Sequence, residues 1–342
     1  MHDIRPVEGF FVETPEGLIF DVKGVLHPVD RTIAYLRYYP DVGGTRERAG
    51  TRYSKVYDLG ERRQWLVANY PKYLWQCDQW GMEVQAVPND EMITHDPRRK
   101  LAALQEVSEE KLPLAELNAR ELCNLLQAMA LDSDEVGITG SILVDLAVAD
   151  SDYDLVVFGT KNCLAVHSRM DSLFAQDDRV TPYTREDMTD HYQKRAAGSG
   201  ISLETFAFHE LRKTHQGRFR GMDFFIRYVP FPDETIWTFP EIQYSKIGTI
   251  RAAGEILDDE RNFYTPCSYG VLITEIFQIP ESNIDFSLIT EINSLRGRFC
   301  EQCFEGESFS CRGTLERVTT PGGIYYRVIL GNSSSDYFTV QF

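Results

Sequence analysis

The chain has 342 residues, 43% hydrophobic, 12% aromatic and 25% charged, a composition that excludes a disordered or collagen-like protein and leaves room for two or three cores. With 52 acidic against 35 basic residues the formal net charge is −17, a field that repels polyanions and makes tight binding to long DNA an unlikely function. No stretch approaches the ~20 consecutive apolar residues that span a bilayer, and the opening Met1-His2-Asp3-Ile4-Arg5-Pro6 lacks the build of a signal peptide, so neither a membrane nor secretion is expected.

From Gly9 to about Lys55, apolar and polar residues alternate around turn signals, and Phe10 to Val22 reads as a β-hairpin. A strand from Thr32 to Tyr39 precedes the turn cluster Pro40-Asp41-Val42-Gly43-Gly44, with Tyr53 to Tyr57 as its expected partner. Residues 60–75 read as helix and Met82 to Val87 as strand, closing a β-rich N-terminal module over 1–100. Tyr35, Tyr38 and Tyr39 near Arg37 have the composition of a base-stacking face, although aromatic strand residues are more often core.

Residues 101–230 change character. Leu122, Leu125, Leu126 and Met129 mark one face of an amphipathic helix, and Val136 to Thr139 and Tyr153 to Phe158 read as strands. Helices are expected at about 162–175 and 202–214, and a strand from Asp223 to Val229. Gly198-Ser199-Gly200 lacks a preceding strand and a third glycine, so it reads as a loop. Residues 231–342 return to short strands, at Lys246 to Ile256, Tyr269 to Phe277, Phe309 to Val318, Ile324 to Leu330 and Tyr337 to Phe342. Hairpin turns at Pro321-Gly322-Gly323 and Gly331-Asn332 complete an expected all-β barrel or sandwich.

The seven cysteines form an odd, sparse set, which predicts reduced thiols and a cytoplasmic location. Cys300 and Cys303 make one C-x-x-C with Cys311 eight positions on. Four-ligand zinc sites commonly use two such pairs, so strand cysteines are the simpler reading and a zinc-stabilised module the rival. Basic clusters at Arg46, Arg48, Arg52 and Lys55, at Arg98-Arg99-Lys100, and at Arg212, Lys213, Arg218 and Arg220 read first as solvated faces. No histidine pair has metal-ligand spacing, and no nucleophile elbow or Walker-type loop occurs.

The informative stretch is Gly137-Ile138-Thr139-Gly140-Ser141, nine further residues, then Ser151-Asp152-Tyr153-Asp154-Leu155-Val156-Val157. On a strand Asp152 and Asp154 share a face, and two carboxylates so placed repel unless a divalent cation lies between them; hard oxygen ligands suit Mg²⁺ or Mn²⁺. A Gly-Ser turn leaving a strand offers backbone N–H groups and a hydroxyl to an anion, with Gly140 permitting close approach.

This constellation resembles the signature of the DNA polymerase β-like nucleotidyltransferase superfamily. The resemblance implies that Gly140 and Ser141 contact a nucleoside triphosphate and that Asp152 and Asp154 bind the catalytic metal. It also implies a central mixed sheet with helices over 101–230, flanked by the two β modules, an α+β protein overall. A third carboxylate belongs on a later strand: Asp223 is the candidate, with 68 residues between it and Asp154, and Glu204 and Asp187 are rivals. Arg227, on the Asp223 face, meets either a phosphate or an internal acid.

The turn departs from the pattern at Ile142-Leu143-Val144-Asp145-Leu146, where an anion stands in place of small or basic residues, so compensation is expected from Lys194, Arg195 or Arg220. At whole-chain level the sequence is similar to an archaeal-type group of uncharacterised predicted nucleotidyltransferases, through Phe20-Asp21-Val22-Lys23-Gly24, Tyr53-Ser54-Lys55-Val56-Tyr57 and Phe263-Tyr264-Thr265-Pro266-Cys267. The function expected is transfer of an NMP from an NTP to an acceptor hydroxyl with release of pyrophosphate. An RNA end is slightly favoured as acceptor over a small molecule or protein. The alternative is a non-catalytic nucleotide- or RNA-binding regulator that keeps the fold.

Overall fold

Alternation after Gly9 becomes an antiparallel hairpin in the computed structural model, β1 (Phe11–Glu13) against β2 (Ile19–Val22), with Val12 opposite Phe20. The structure describes residues 1–2, 4–196, 200–280 and 284–341. They divide into two units, one of Met1–Asp78, Met82–Thr181 and Gly217–Phe239, the other of Gln79–Gly81, Pro182–Gln216 and Pro240–Phe342. Both mix helices with sheet, an α+β protein.

In the first unit the hairpin continues into β3 (Arg31–Pro40), β4 (Arg46–Arg48) and β5 (Thr51–Lys55), and Tyr38 lies opposite Lys55 as the aromatic pattern predicts. The region read as helix over 60–75 holds α1 (Leu59–Asn69) and then strand, β6 (Leu74–Cys77), because Pro71 interrupts the helical ladder. β7 (Met82–Pro88) pairs with β6 and with the start of β3, while β8 (Ile93–His95) closes the far edge beside β1.

Asp96 then caps α2 (Pro97–Gln105), with Pro97 in the first turn where its missing N–H is harmless. α3 (Leu114–Met129) buries Leu122 and Leu126, one turn apart, on its inner face.

A second sheet follows, made of β9 (Val136–Ile138), β10 (Tyr153–Phe158), β11 (Val180–Thr181), β12 (Gln216–Phe219) and β13 (Met222–Val229), in the order β11-β12-β13-β10-β9. β10 runs parallel to β13 and antiparallel to β9; flanked on both edges, its Leu155, Val156, Val157 and Phe158 are fully buried. The Gly-Ser turn is a short helix, α4 (Gly140–Leu143), and α5 (Thr160–His167) and α6 (Met170–Gln176) occupy the region read as one helix. β12 was not legible because the turn Arg220-Gly221, with both residues at positive φ (51° and 83°), is not a common hairpin dipeptide.

The boundary drawn at residue 100 vanishes in the contacts. Phe10, Val12, Phe20 and Leu36 share one core with Val156, Phe158 and Val229, so burial joins the N-terminal strands to the central sheet. The boundary at 230 moves as well, since 182–216 groups with the C-terminal strands.

The second unit adds α7 (Met188–Arg195) and α8 (Leu203–Glu210) to six strands: β14 (Gln243–Asp258), β15 (Cys267–Gln278), β16 (Ile289–Ser294), β17 (Ser308–Thr320), β18 (Gly323–Leu330) and β19 (Tyr337–Val340). β14 pairs with β15, β15 with β16, β16 in parallel with β18, β18 with β17, and β17 back with β14, which closes a five-strand barrel. The turn at Pro321-Gly322 is a hairpin as expected. The one at Gly331-Asn332 is not: β19 resumes the direction of β18 along the same edge of β17, after an excursion pinned by Asp336, which accepts from the N–H groups of Gly331 (2.9 Å) and Ser333 (3.1 Å).

All seven cysteines are buried, and none is joined in a disulfide. Cys300 donates to the Tyr264 carbonyl (3.2 Å), and with Cys303 it sits in the barrel core. No three His, Cys, Asp or Glu side chains among the described residues converge on a metal position. Two residues of the Gly198-Ser199-Gly200 loop, and the terminal Phe342, lie outside the described residues. Among the described residues no helix is long and apolar enough to cross a membrane.

Candidate functional site

Three backbone features bring Gly140, Ser141, Asp152 and Asp154 together. β9 pairs antiparallel with β10 so that Ile138 faces Leu155, and the Thr139 N–H donates to the Asp154 carbonyl at 2.9 Å. The chain leaves β9 at Gly140 with φ at 67°, and a Cβ there would lie 2.2 Å from the Asp154 Oδ2, so only glycine lets the turn approach the carboxylate. Ser151, next to the pair, closes the preceding turn: its Oγ accepts from the Val148 N–H at 2.9 Å. Ser141 is buried, and no hydrogen bond from its hydroxyl to a described residue is formed.

The carboxylates differ in setting. Asp152 is exposed, whereas Asp154 is partly covered. Burial first, and then the adjacent Asp152 charge, push the Asp154 carboxyl up to about 6, against the pull of Arg227, Lys55 and Arg37. A divalent cation suits this donor pair, because it removes the repulsion that raises Asp154. The remaining ligands would have to come from water, from phosphate or from movement of Asp223, since among the described residues no three acids converge.

Asp223 starts the strand beside the pair. Phe225 stands opposite Asp154 in the parallel register, which places Asp223 on the same face, two residues earlier; its Oδ1 accepts from Arg218 Nε at 3.3 Å. The rivals belong to the second unit. Asp187 accepts from Thr184 N–H at 2.7 Å as a helix cap, and Glu204 is exposed in the first turn of α8.

Arg227 takes the internal of its two expected roles. Its Nη1 donates to Glu8 at 2.5 Å, and Glu8, fully buried, also accepts from Lys23 Nζ (3.0 Å) and the Gly24 N–H (2.9 Å). Lys23 reaches Asp21 at 2.8 Å; against the upward push of burial, Lys23 and then Arg227 hold the Asp21 carboxyl down at about 2. Arg227 Nε and Asp21 Oδ1 are buried and have no hydrogen-bond partner among the described residues.

Compensation for Asp145 does not come from the expected residues. Lys100 Nζ meets Asp145 at 2.6 Å and Glu116 at 3.0 Å, while Arg220 is taken by Asn118 and Glu121 (2.7 Å). Lys194 and Arg195 lie in α7 of the second unit, where Arg195 donates to Gln216 at 2.8 Å. Besides Arg227, the cations that act on Asp154 are Lys55 of β5 and Arg37 of β3, from the N-terminal sheet. Neither forms an ion pair among the described residues. The guanidinium of Arg37 and the ammonium of Lys55 both lie 4.8 Å from the ring centroid of Tyr57, which is 63% exposed. Lys55 fell in a cluster read as a solvated face, and only strand pairing across 38–55 reveals that it belongs to the site. Tyr38 is buried and Tyr39 packs on Trp65 at 4.2 Å, both as core.

A protein of Methanocaldococcus jannaschii described as uncharacterised, MJ1086, is 26% identical to this chain over 336 residues, which cover 96% of each. No protein-family model and no solved structure matches the chain.

Proposed function

We propose that the first unit is a polymerase β-like nucleotidyltransferase, transferring an NMP from an NTP to an acceptor hydroxyl. The observation that carries this reading is the contact of the Gly140 turn with Asp154, which sets the start of α4 and the Ser141 side chain beside a same-face carboxylate pair. Asp152 and Asp154, with Asp223 as third acid, would hold Mg²⁺ or Mn²⁺. When bound, such an ion supplies charge neutralisation at phosphoryl oxygens.

The chain's own residues do the rest. Gly140 and Ser141 orient the β and γ phosphates, and Arg37 and Lys55 offset the triphosphate charge. The acceptor oxygen bonds to the α-phosphorus as the bond to the bridging oxygen breaks, and pyrophosphate leaves. Asp223 takes the acceptor's proton, directly or through water. The barrel of the second unit lends support to a nucleic-acid acceptor at fold level: numbered from β14 to β18, its ring order 1-2-3-5-4 with strands 3 and 5 parallel is that of oligonucleotide- and oligosaccharide-binding barrels.

A second reading, a non-catalytic nucleotide- or RNA-binding regulator, is favoured by one observation, that no three acids converge among the described residues. Calorimetric titration with each NTP, with and without Mg²⁺ or Mn²⁺, beside the Asp152→Asn/Asp154→Asn double variant, tests the first reading, with pyrophosphate release in the presence of RNA as the second step. Metal-dependent binding lost in the variant, with pyrophosphate release, supports the enzyme. Metal-independent binding without release supports the regulator, and no binding of any NTP sinks both nucleotide readings.

A further inference from the structure

On the barrel of the second unit, three strand registers coincide at one level. Tyr337 of β19 lies opposite Arg312 of β17, Arg312 opposite Arg251 of β14, and Arg251 opposite Gln278 of β15. Directly opposed residues on neighbouring strands project on one face about 5 Å apart, so two guanidinium groups stand side by side between a phenol and an amide. Like charges so placed destabilise a sheet unless an anion joins them.

No anion among the described residues does so. Neither arginine forms a hydrogen bond or ion pair with a described residue, and the Arg312 Nε is buried without a partner. One register step away on this face Ala253 meets Ser310 and Ser310 meets Thr339; on the other side Thr249 meets Thr314. The one charged residue in these rows is Glu275, opposite Ala253, and it forms no ion pair with either arginine among the described residues. The four residues of the row line a pocket of about 750 Å³ together with Ser202, Thr205, Ser335 and Thr339, whose hydroxyls add donors, and no carboxylate lines it. In a chain of net charge −17, two opposed arginines with no acidic partner among the described residues are an arrangement that intramolecular stability does not account for.

We propose that this row is a binding site for a phosphate group of a single-stranded nucleic acid. Planar guanidinium forks suit phosphate oxygens, and paired forks can grip one phosphate from two sides. Tyr337, in line with the arginines, offers a face on which the neighbouring base stacks, the combination that sequence-tolerant single-strand binders use. A single strand fits better than a duplex, whose dense charge the acidic surface repels. The site is independent of the carboxylate pair and of the transferase reading.

The test is fluorescence anisotropy of the full chain with a labelled oligouridylate of about 12 nucleotides, a length within the usual range for such barrels. EDTA is present, so binding owes nothing to a metal at Asp152 and Asp154, and salt is varied from about 50 to about 200 mM. We expect the Arg251→Ala/Arg312→Ala variant to lose affinity by at least about tenfold. Its slope of log K against log salt should fall by about 0.7 per phosphate contact removed. Arg251→Lys/Arg312→Lys should keep the slope and lose part of the affinity, because lysine retains the charge without the fork. The alanine variant should melt no lower than the parent, since it removes a like-charge pair. Wild-type affinity and slope in the alanine variant would overturn the proposal, as would absence of oligonucleotide binding by the parent chain. Protection of the site by inorganic phosphate without strand binding would reassign it to free phosphate and overturn the strand assignment.

Discussion

Gly140 and Asp154 are in contact: a Cβ on the glycine would overlap the carboxylate oxygen at 2.2 Å, and the glycine's φ of 67° is one that other residues resist. The strand-to-helix turn and the acid are therefore one structural device. Gly140→Ala should destabilise the fold by about 1–3 kcal/mol through backbone strain, and it should displace Asp154. Urea denaturation reads the first effect. Loss of Mn²⁺-dependent nucleotide binding in the molecules that remain folded reads the second, and an alanine variant with both properties intact would show that the contact is unimportant.

Asp154→Asn removes a partly covered charge that Asp152 repels. The metal-free variant should consequently unfold at the same or a higher temperature than the parent. Addition of Mn²⁺ should raise the melting temperature of the parent alone, as expected for a ligand that binds only the native state. Equal metal-induced shifts in both proteins would remove the pair from consideration as the metal site.

Arg37 and Lys55 are cations without an acid of their own beside the pair. Truncation of either to alanine should weaken NTP binding by about tenfold or more, the magnitude of one charge-assisted hydrogen bond, with little change in stability. Isothermal titration with the triphosphate, and with the corresponding nucleoside as control, separates phosphate contacts from base contacts. Equal losses for both ligands would point to a general disturbance of the site instead.

Glu8 holds Arg227 and Lys23 together from a fully buried position. Its replacement by alanine leaves Arg227 and Lys23 with Asp21 alone to offset them, and breaking a buried pair of this kind typically costs about 3–5 kcal/mol. Denaturant midpoints at constant slope would verify the figure, and a change below 1 kcal/mol, roughly the value of an exposed pair, would contradict the burial argument.

His209 is 1% exposed, with Nδ1 donating to the Gln302 carbonyl at 2.7 Å and Nε2 accepting from the Val340 N–H at 3.4 Å, a geometry that only neutral imidazole satisfies. Burial, and next Lys213, lower its pKa to about 3; burial and Arg5 do the same for His27. Both values lie below those of the unfolded chain, so the stabilisation is complete above about pH 6.5 and is lost as pH falls toward 3. Each histidine contributes at most about 1.4 kcal/mol per pH unit in that window. Stability measured from pH 7 to pH 4 should therefore decline, and His209→Gln should flatten the slope; identical slopes would rule His209 out as a source.

The elements that carry the candidate site were legible in local pattern. The Gly-Ser turn, the same-face aspartates and the apolar run of β10 are each specified within a few residues, because side-chain alternation and glycine's access to positive φ are short-range properties. Asp223 could be put on the right strand and face for the same reason. What lay outside the reach of pattern depends on pairing between distant segments. Lys55 and Arg37 act on Asp154 only because the N-terminal strands pack into the core of β10, and Arg227 turns inward because Glu8, more than 200 residues earlier, is waiting there. The opposed Arg251 and Arg312 became neighbours when β14 closed the barrel against β17. Sequence by itself determined where strands and turns form and which side chains share a face. Tertiary structure decided which charges meet, because Coulomb interactions follow distance in space and depend on how deeply the fold removes them from water.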